Sequence, residues 1–287
     1  MLEGYRTSKK IDNGYSDDEK WIVDNTYLVR LTPNSLENIQ HQKELINAVH
    51  QVDSRIPFVY EASQSQGINY SVLDYIPGED AERLLPNLEP DIQYNIGIQV
   101  GDALKNMHSI AAPDNYPSWE CRWKERYCRL RPAFEAIVKD NPDYQNILPF
   151  IDDNLYLLKN RPSAIQHYDF HPGNILIDKE NFVGLIDFQK VTYADPVNEF
   201  YKLEYFTVQH SREFACGIID GYHQQKPIPK DFWRLHRLYA AIHIVSAEVW
   251  GHTGALNQKD TFQQNTRFTI AQFNNFNRLI PTWYQGI

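Results

Sequence analysis

Residues 165–188 read Ile165-Gln166-His167-Tyr168-Asp169-Phe170-His171-Pro172-Gly173-Asn174-Ile175-Leu176-Ile177-Asp178-Lys179-Glu180-Asn181-Phe182-Val183-Gly184-Leu185-Ile186-Asp187-Phe188, and the fold is read outward from them. Two short apolar runs, 175–177 and 183–186, flank a polar turn, which is the pattern of a β-hairpin. With the turn centred between Glu180 and Asn181, Asp178 faces Val183 and Asn174 faces Asp187. Facing residues lie about 5 Å apart at Cα, so an amide and a carboxylate meet at the open end of one hairpin. Asp169 sits on the loop just before, where Pro172-Gly173 lets the chain turn back over that end.

Two side-chain oxygens are a poor complete metal cage. Mg²⁺ takes only one or two protein ligands and fills its other positions with water and phosphates. Asn174 and Asp187 therefore suit Mg²⁺ arriving with a nucleotide, and Asp169 stands off the metal, where it can orient and deprotonate a hydroxyl. Positioning, charge neutralisation and a hydroxyl-orienting base are the parts that phosphoryl transfer needs. His-x-Asp-x-x-x-x-Asn followed by Asp-Phe after a hairpin also matches the catalytic-loop and metal-loop logic of kinases.

In the particular form His167-Tyr168-Asp169-Phe170-His171-Pro172-Gly173-Asn174-Ile175-Leu176 the segment resembles the aminoglycoside phosphotransferase family more closely than protein kinases. That family and its relatives, the choline, homoserine and macrolide kinases, typically read H-G-D-x-H-P-G-N-x-L. The resemblance covers most of the chain. The N-terminal strands and helix look like the family's small nucleotide lobe, Ile76-Pro77-Gly78-Glu79 like its turn after the hinge, and Ala194-Asp195-Pro196 like its G-D-P segment. Read from the residues alone, the last is a helix start, with Asp195 as N-cap and Pro196 at N1.

The resemblance implies an α+β, protein-kinase-like two-lobe fold, with a small β-rich, nucleotide-binding N-lobe over 1–76. A larger, mainly helical C-lobe over 77–287 would carry the catalytic loop, the metal site and the acceptor pocket. ATP or GTP with Mg²⁺ is the implied donor, and the implied acceptor is a hydroxyl of a small molecule, foremost an aminoglycoside-type antibiotic. A neutral macrolide or an endogenous hydroxylated metabolite is the alternative. Three positions depart from the pattern. Tyr168 stands where the family has Gly and protein kinases have Arg, Gln189 replaces the usual Gly or Glu after Asp-Phe, and Arg30 occupies the place of the strand lysine. Arg can hold phosphate oxygens in a fork, so Arg30 remains a workable phosphate contact.

Periodicity agrees with this plan. Residues 20–23 and 26–31 are β-branched-rich runs joined by Asp24-Asn25, a hairpin with a two-residue turn. A helix is expected over 35–49 and strands over 58–61 and 70–75 around a polar turn at 63–69. From Ile76 onward the pattern is helical, over 91–108, 122–139, 148–159, 197–208, 212–222, 229–250 and 261–279. Within the N-lobe, Glu44, with Glu37 as second choice, is the expected carboxylate partner of Arg30. Gly14 and Ser16, in the Asn13-Gly14-Tyr15-Ser16 turn, are placed to cover phosphates, although no G-x-G-x-x-G or Walker pattern is present. Asp74, Tyr75 and Ile76 form the hinge that would offer backbone groups to the base. In the late helices Glu199, Glu204 and Glu248 are carboxylates available to an amine-bearing acceptor, while most of the Tyr, Trp and His there suit a core.

Composition narrows the classes. Of 287 residues, 42% are hydrophobic and 23% charged, a globular balance. Lys and Arg number 28 against 37 Asp and Glu, for a net charge of −9, which argues against a nucleic-acid partner. Three cysteines, Cys121, Cys128 and Cys216, with no CxxC pair, make neither a disulfide framework nor a zinc site. The first residues lack the apolar core of a signal peptide, and the longest apolar stretch, near 239–249, is interrupted by His243 and Glu248. A soluble, cytoplasmic protein without a membrane partner is expected, with its oligomeric state open. Two other classes compete with an enzyme. A nucleotide-holding module without turnover is disfavoured by the intact Asp169, Asn174 and Asp187. A protein kinase is disfavoured because 187–195 leaves little room for an activation loop.

Overall fold

The computed structural model describes residues 6–11, 18–139 and 141–284. Gly14 and Ser16 lie outside the described residues. Contacts gather the chain into two compact units: the residues up to Leu84 together with His167–Thr192, and Leu85–Gln166 together with the residues from Tyr193 onward.

The first unit is built on an antiparallel sheet of five strands: β1 (Ser8–Ile11), β2 (Glu19–Val23), β3 (Tyr27–Thr32), β4 (Val59–Ser65) and β5 (Ile68–Asp74), in the order β1-β2-β3-β5-β4. Asp24 and Asn25 both adopt positive φ, 51° and 52°, and the Thr26 amide closes the turn on Val23 O at 3.0 Å. Short polar side chains tolerate that region, which is why Asp-Asn sits there. Strand pairing resumes at Val23↔Tyr27, so the loop holds three residues rather than two and Lys20 stands opposite Arg30. One residue more or less in a hairpin loop moves every following side chain to the other face. Residues 63–69, expected as a turn, are mostly strand. The turn shrinks to Gln66-Gly67, and the polar residues belong to β4 at the edge of the sheet, where one side meets water.

Helix α1 (Leu36–Val52) starts on Ser35, whose Oγ accepts from the Asn38 amide at 3.2 Å, and runs one turn past the expected end. Its buried face is Ile39, Gln42, Leu45, Ile46 and Val49. After β6 (Glu79–Asp80) and the short α2 (Ala81–Leu84), the second unit supplies α3 (Pro90–Met107), α4 (Trp119–Val138), α5 (Ile147–Asn154) and β7 (Ala164–Gln166). The chain then makes the hairpin of β8 (Ile175–Asp178) and β9 (Asn181–Leu185), with β6 on the far side of β8. The register corrects the sequence expectation. Asp178 faces Asn181 across a tight Lys179-Glu180 turn, and a bulge at Val183 then shifts the pairing to Leu176↔Gly184 and Ile175↔Leu185. Asn174 therefore meets Ile186, not Asp187: the Ile186 amide donates to Asn174 O at 2.9 Å.

In the second unit α3 packs on α6 (Arg212–Tyr222) at backbone distance. Any Cβ at Gly97 or Gly101 would lie 2.3 and 2.2 Å from carbonyl oxygens of Phe214 and Ile218, and one at Gly217 or Gly221 would lie 2.2 Å from those of Tyr94 and Ile98. Two G-x-x-x-G pairs face each other, and nothing larger fits. The remaining helices are α7 (Lys230–Thr253), whose buried residues run along most of its length, and α8 (Lys259–Gln272). α8 ends earlier than expected because Asn274, Asn275 and Phe276 all take positive φ. The segment 197–208, expected as an α-helix, is a 3₁₀ turn at Pro196–Phe200 followed by a π-helical turn at Leu203–Thr207. Among the described residues no helix is long and apolar enough to cross a membrane.

Candidate active site

Four residues of the loop and hairpin close a ring of hydrogen bonds. His167, fully buried, donates from Nε2 to Ile186 O at 2.7 Å and accepts the Asp169 amide on Nδ1 at 3.1 Å. Asn174 donates from Nδ2 to Asp169 O at 2.9 Å, and its own carbonyl takes the Ile186 amide. With Nδ1 accepting, the imidazole carries its proton on Nε2, so His167 is a fixed strut in one tautomer. Phe170 and Phe188 are both buried, and the Phe188 ring meets the imidazole edge to face at 4.4 Å. Tyr168 (φ 64°) and Asp187 (φ 66°) both sit in the left-handed region. That conformation explains the Gly usual at the Tyr168 position, and at Asp187 it ends the strand so that the carboxylate leaves the ladder.

The two carboxylates are each met by a lysine. Lys190 Nζ lies 3.1 Å from Asp169 Oδ2, with side-chain exposures of 61% and 25%. Lys20 Nζ lies 3.3 Å from Asp187 Oδ2, at 16% and 30%. Asp187 thus already attracts a cation. Asn174 commits its amide nitrogen to a carbonyl, which turns Oδ1 away as an acceptor. One carboxylate and one amide oxygen are a fitting protein contribution to a Mg²⁺ that keeps water and phosphate in its other positions. Among the described residues no group of three or more His, Cys, Asp or Glu could hold a metal by itself.

Arg30 is 7% exposed, and its expected partner is a correction. Glu44 lies on the exposed side of α1 beside His41 at 3.8 Å. The helical period instead brings Gln42 inward, and Arg30 Nη2 donates to Gln42 Oε1 at 2.9 Å. Arg30 Nε faces Asp18 at 3.5 Å. Burial pushes the guanidinium pKa below its usual value, against the pull of Asp18 and Asp187. Gln42 Nε2 donates to Gln189 O and Gln189 Nε2 donates to Asp18 Oδ2, at 2.9 and 2.8 Å, so the network returns to its start. At the hinge, the Asp74 amide bonds Phe58 O, the Tyr75 amide bonds Thr26 O, and the Asp74 carboxylate takes the Phe58 amide and the Tyr60 hydroxyl. Ile76 packs its side chain over Gly184.

The carboxylates expected from sequence to face an acceptor lie in the interior. Glu199 is 1% exposed and paired with His108 at 3.8 Å. Glu204 is fully buried between His236 and the Trp283 indole. Glu248 is buried and takes the Tyr144 hydroxyl at 3.1 Å. All three are interior groups of the second unit: the irregular 196–207 segment turns Glu199 and Glu204 inward, and Glu248 is a buried residue of α7. Asp195 does cap as expected, accepting from the Val197 amide at 3.0 Å.

Sequence reasoning missed Lys20, Lys190, Asp18 and Gln42. Lys20 was recoverable from the hairpin, had the loop been counted as three residues. Gln42 lay in the i, i+3 series from Ile39. Nothing local marks Asp18 or Lys190, whose partners are 12 or more residues away.

The description "phosphotransferase enzyme family" belongs to a family model that matches residues 7–246. Curated proteins return no match. Among solved structures, the streptomycin–ATP complex of the aminoglycoside phosphotransferase APH(2")-IIa superposes with a TM-score of 0.65 at 18% identity, covering 93% of this chain and 94% of that one. The GDP complex of an aminoglycoside 2'-phosphotransferase-IIIa variant gives 0.67 at 14%, covering 97% and 95%. An aminoglycoside phosphotransferase from Alicyclobacillus acidocaldarius gives 0.65 at 13%, covering 94% and 90%. The fold is accordingly protein-kinase-like, with a small antiparallel-sheet N-lobe and a helical C-lobe.

Proposed function

The chain belongs to the phosphotransferase enzyme family, and on that premise we propose that it moves the γ-phosphoryl group of ATP or GTP to a hydroxyl of a small molecule. The observation that carries this is the closed ring of His167, Asp169, Asn174 and Ile186, which holds a base candidate and both oxygen donors on one rigid frame. Asp169 accepts the proton of the acceptor hydroxyl as its oxygen bonds to the γ-phosphorus and the nucleoside diphosphate leaves. Mg²⁺ held by Asn174 Oδ1, Asp187 and the phosphates would supply charge neutralisation. Lys190 lies beside that carboxylate, with Nζ 3.1 Å from Asp169 Oδ2. The hinge at 74–76 serves the base through Ile76, since the amides of Asp74 and Tyr75 are taken up within the sheet. The cytoplasm, where the donor nucleotide is made, suits this reaction.

For the acceptor we propose an aminoglycoside-type antibiotic, supported by the ligands of similar folds and by the net charge of −9. The burial of Glu199 and Glu204 favours a second reading, a neutral hydroxylated antibiotic or metabolite, since those carboxylates do not face solvent. Nucleoside diphosphate release, measured against aminoglycosides, macrolides, choline and homoserine, separates the readings. Acceptor-stimulated turnover with one class is expected. Nucleotide binding without turnover on any of them would reduce the protein to a binding module.

A further inference from the structure

The β2–β3 hairpin carries two cations on one face. Lys20 and Arg30 are cross-strand partners, so their side chains leave the sheet on the same side. Their situations differ. Arg30 is 7% exposed, bonded to Gln42 and balanced by Asp18, and the same network fixes Gln189, two residues past Asp187. Its Nη2 and Nε are turned to a buried amide and a buried carboxylate. Lys20 has a freely rotating ammonium, partial exposure and, among the described residues, one counterion, the Asp187 carboxylate at 3.3 Å.

Resting on the phosphotransferase reading, we propose that Lys20 on β2, rather than Arg30 on β3, is the cation that binds the nucleotide's phosphates. Arg30 is then a positioning residue that braces the 187–189 turn through Gln42. A divalent ion on Asp187 would take the counterion that Lys20 has among the described residues and leave two cations side by side. Phosphate groups between the two would offset their repulsion, and a lysine point charge suits that role. Conversely, without nucleotide Lys20 competes with the metal for Asp187.

This has an unusual signature: removing Lys20 acts in opposite directions on two affinities. Titration calorimetry with adenosine and with ATP plus Mg²⁺ (guanosine and GTP if those bind more tightly), and Mn²⁺ titration followed by electron paramagnetic resonance, read them separately. For Lys20→Met we expect adenosine affinity within about twofold of wild type, and MgATP affinity lower by about ten- to a hundredfold, the scale of a lost hydrogen bond to a charged group. Mn²⁺ should bind the nucleotide-free variant several-fold more tightly. Lys20→Arg, which keeps the charge should Lys20→Met fail to fold, is expected to hold MgATP within several-fold of wild type. Arg30→Gln should change the ATP-to-adenosine ratio less than Lys20→Met does, while lowering the melting temperature. An unchanged ratio in Lys20→Met, or a larger loss in Arg30→Gln, overturns the proposal and leaves the phosphotransferase reading standing. A wild-type protein that binds neither MgATP nor MgGTP overturns both.

Discussion

Two kinds of carboxylate live in this protein, and they are held in opposite ways. In the first unit Asp169 and Asp187 are partly exposed, and a lysine lies against each. In the second unit Asp195 is fully buried, and its two oxygens receive Arg161 Nε and Nη2 at 2.6 and 3.0 Å, the Val197 amide and the Tyr239 hydroxyl at 2.6 Å. Its carbonyl also accepts from Gln166. A buried charge is tolerated only when its lone pairs are satisfied, so Asp195 has nothing left to offer a ligand. Asp187 has a long contact to Lys20, with Arg30 also within reach of its charge, and a left-handed backbone, and it can exchange its partner. The contrast separates a carboxylate wholly taken up by the fold from carboxylates that keep partial exposure, and neither charge nor residue type distinguishes them.

Substitutions test this division. The largest effect is expected from Asp169→Asn: a fall in kcat of about 10²–10⁴, the usual consequence of losing a positioned base, with the melting temperature unchanged. Near-wild-type turnover would remove Asp169 from the mechanism. Asp195→Asn should do the reverse. Breaking a buried, multiply bonded ion pair destabilises by about 3–5 kcal/mol in urea unfolding, and any folded fraction should keep its nucleotide affinity. A variant as stable as wild type would show that the Arg161 and Tyr239 contacts carry little.

Asp187→Ala should abolish the Mg²⁺ enhancement of nucleotide binding, and Asn174→Ala should weaken it less, because a neutral oxygen holds a hard dication less firmly. Mg²⁺ enhancement surviving in Asp187→Ala would place the metal elsewhere. The smallest effect is a slope. His243 is stacked on Tyr201 at 4.2 Å, and burial, aided by Lys202 and Arg126, lowers its pKa well below 6.5. Below about pH 6.5 the unfolded chain takes up a proton that the folded imidazole refuses. Stability should therefore fall by about 1.4 kcal/mol per pH unit as pH drops through that window, and stay level above it for this group. His223, lowered by burial, adds in the same direction. Unfolding curves between pH 5 and 7.5 should be flatter for His243→Phe, and an identical slope would show that other groups govern the acid side.

Most of the element plan was legible in advance because it rests on short-range patterns. The Asp24-Asn25 turn, the Ser35 cap and the apolar periods of α1, α3 and α6 each lie within a few residues of the signal that reveals them. The α3–α6 contact was written in plain view as two G-x-x-x-G pairs, but which glycines face each other depends on how two distant helices meet. The two hairpin misreadings share a cause. One residue in the β2–β3 loop and one bulge at Val183 changed which side chains share a face, and a period of two amplifies a single insertion into a full reversal.

The amino-acid sequence by itself determined the local chemistry: a base candidate, an amide and a carboxylate at spacings that only a loop and a hairpin can bring together, in a chain whose patterns build a small sheet and a larger helical part. Which cation attends which carboxylate was decided by tertiary structure alone. Arg30 found Gln42 and Asp18 rather than Glu44, Asp187 found Lys20, and Glu199 and Glu204 turned inward to His108 and His236. Charged side chains are long, and their attractions reach whatever the folded chain brings near, so their partners follow from packing between elements far apart in sequence and leave no local trace.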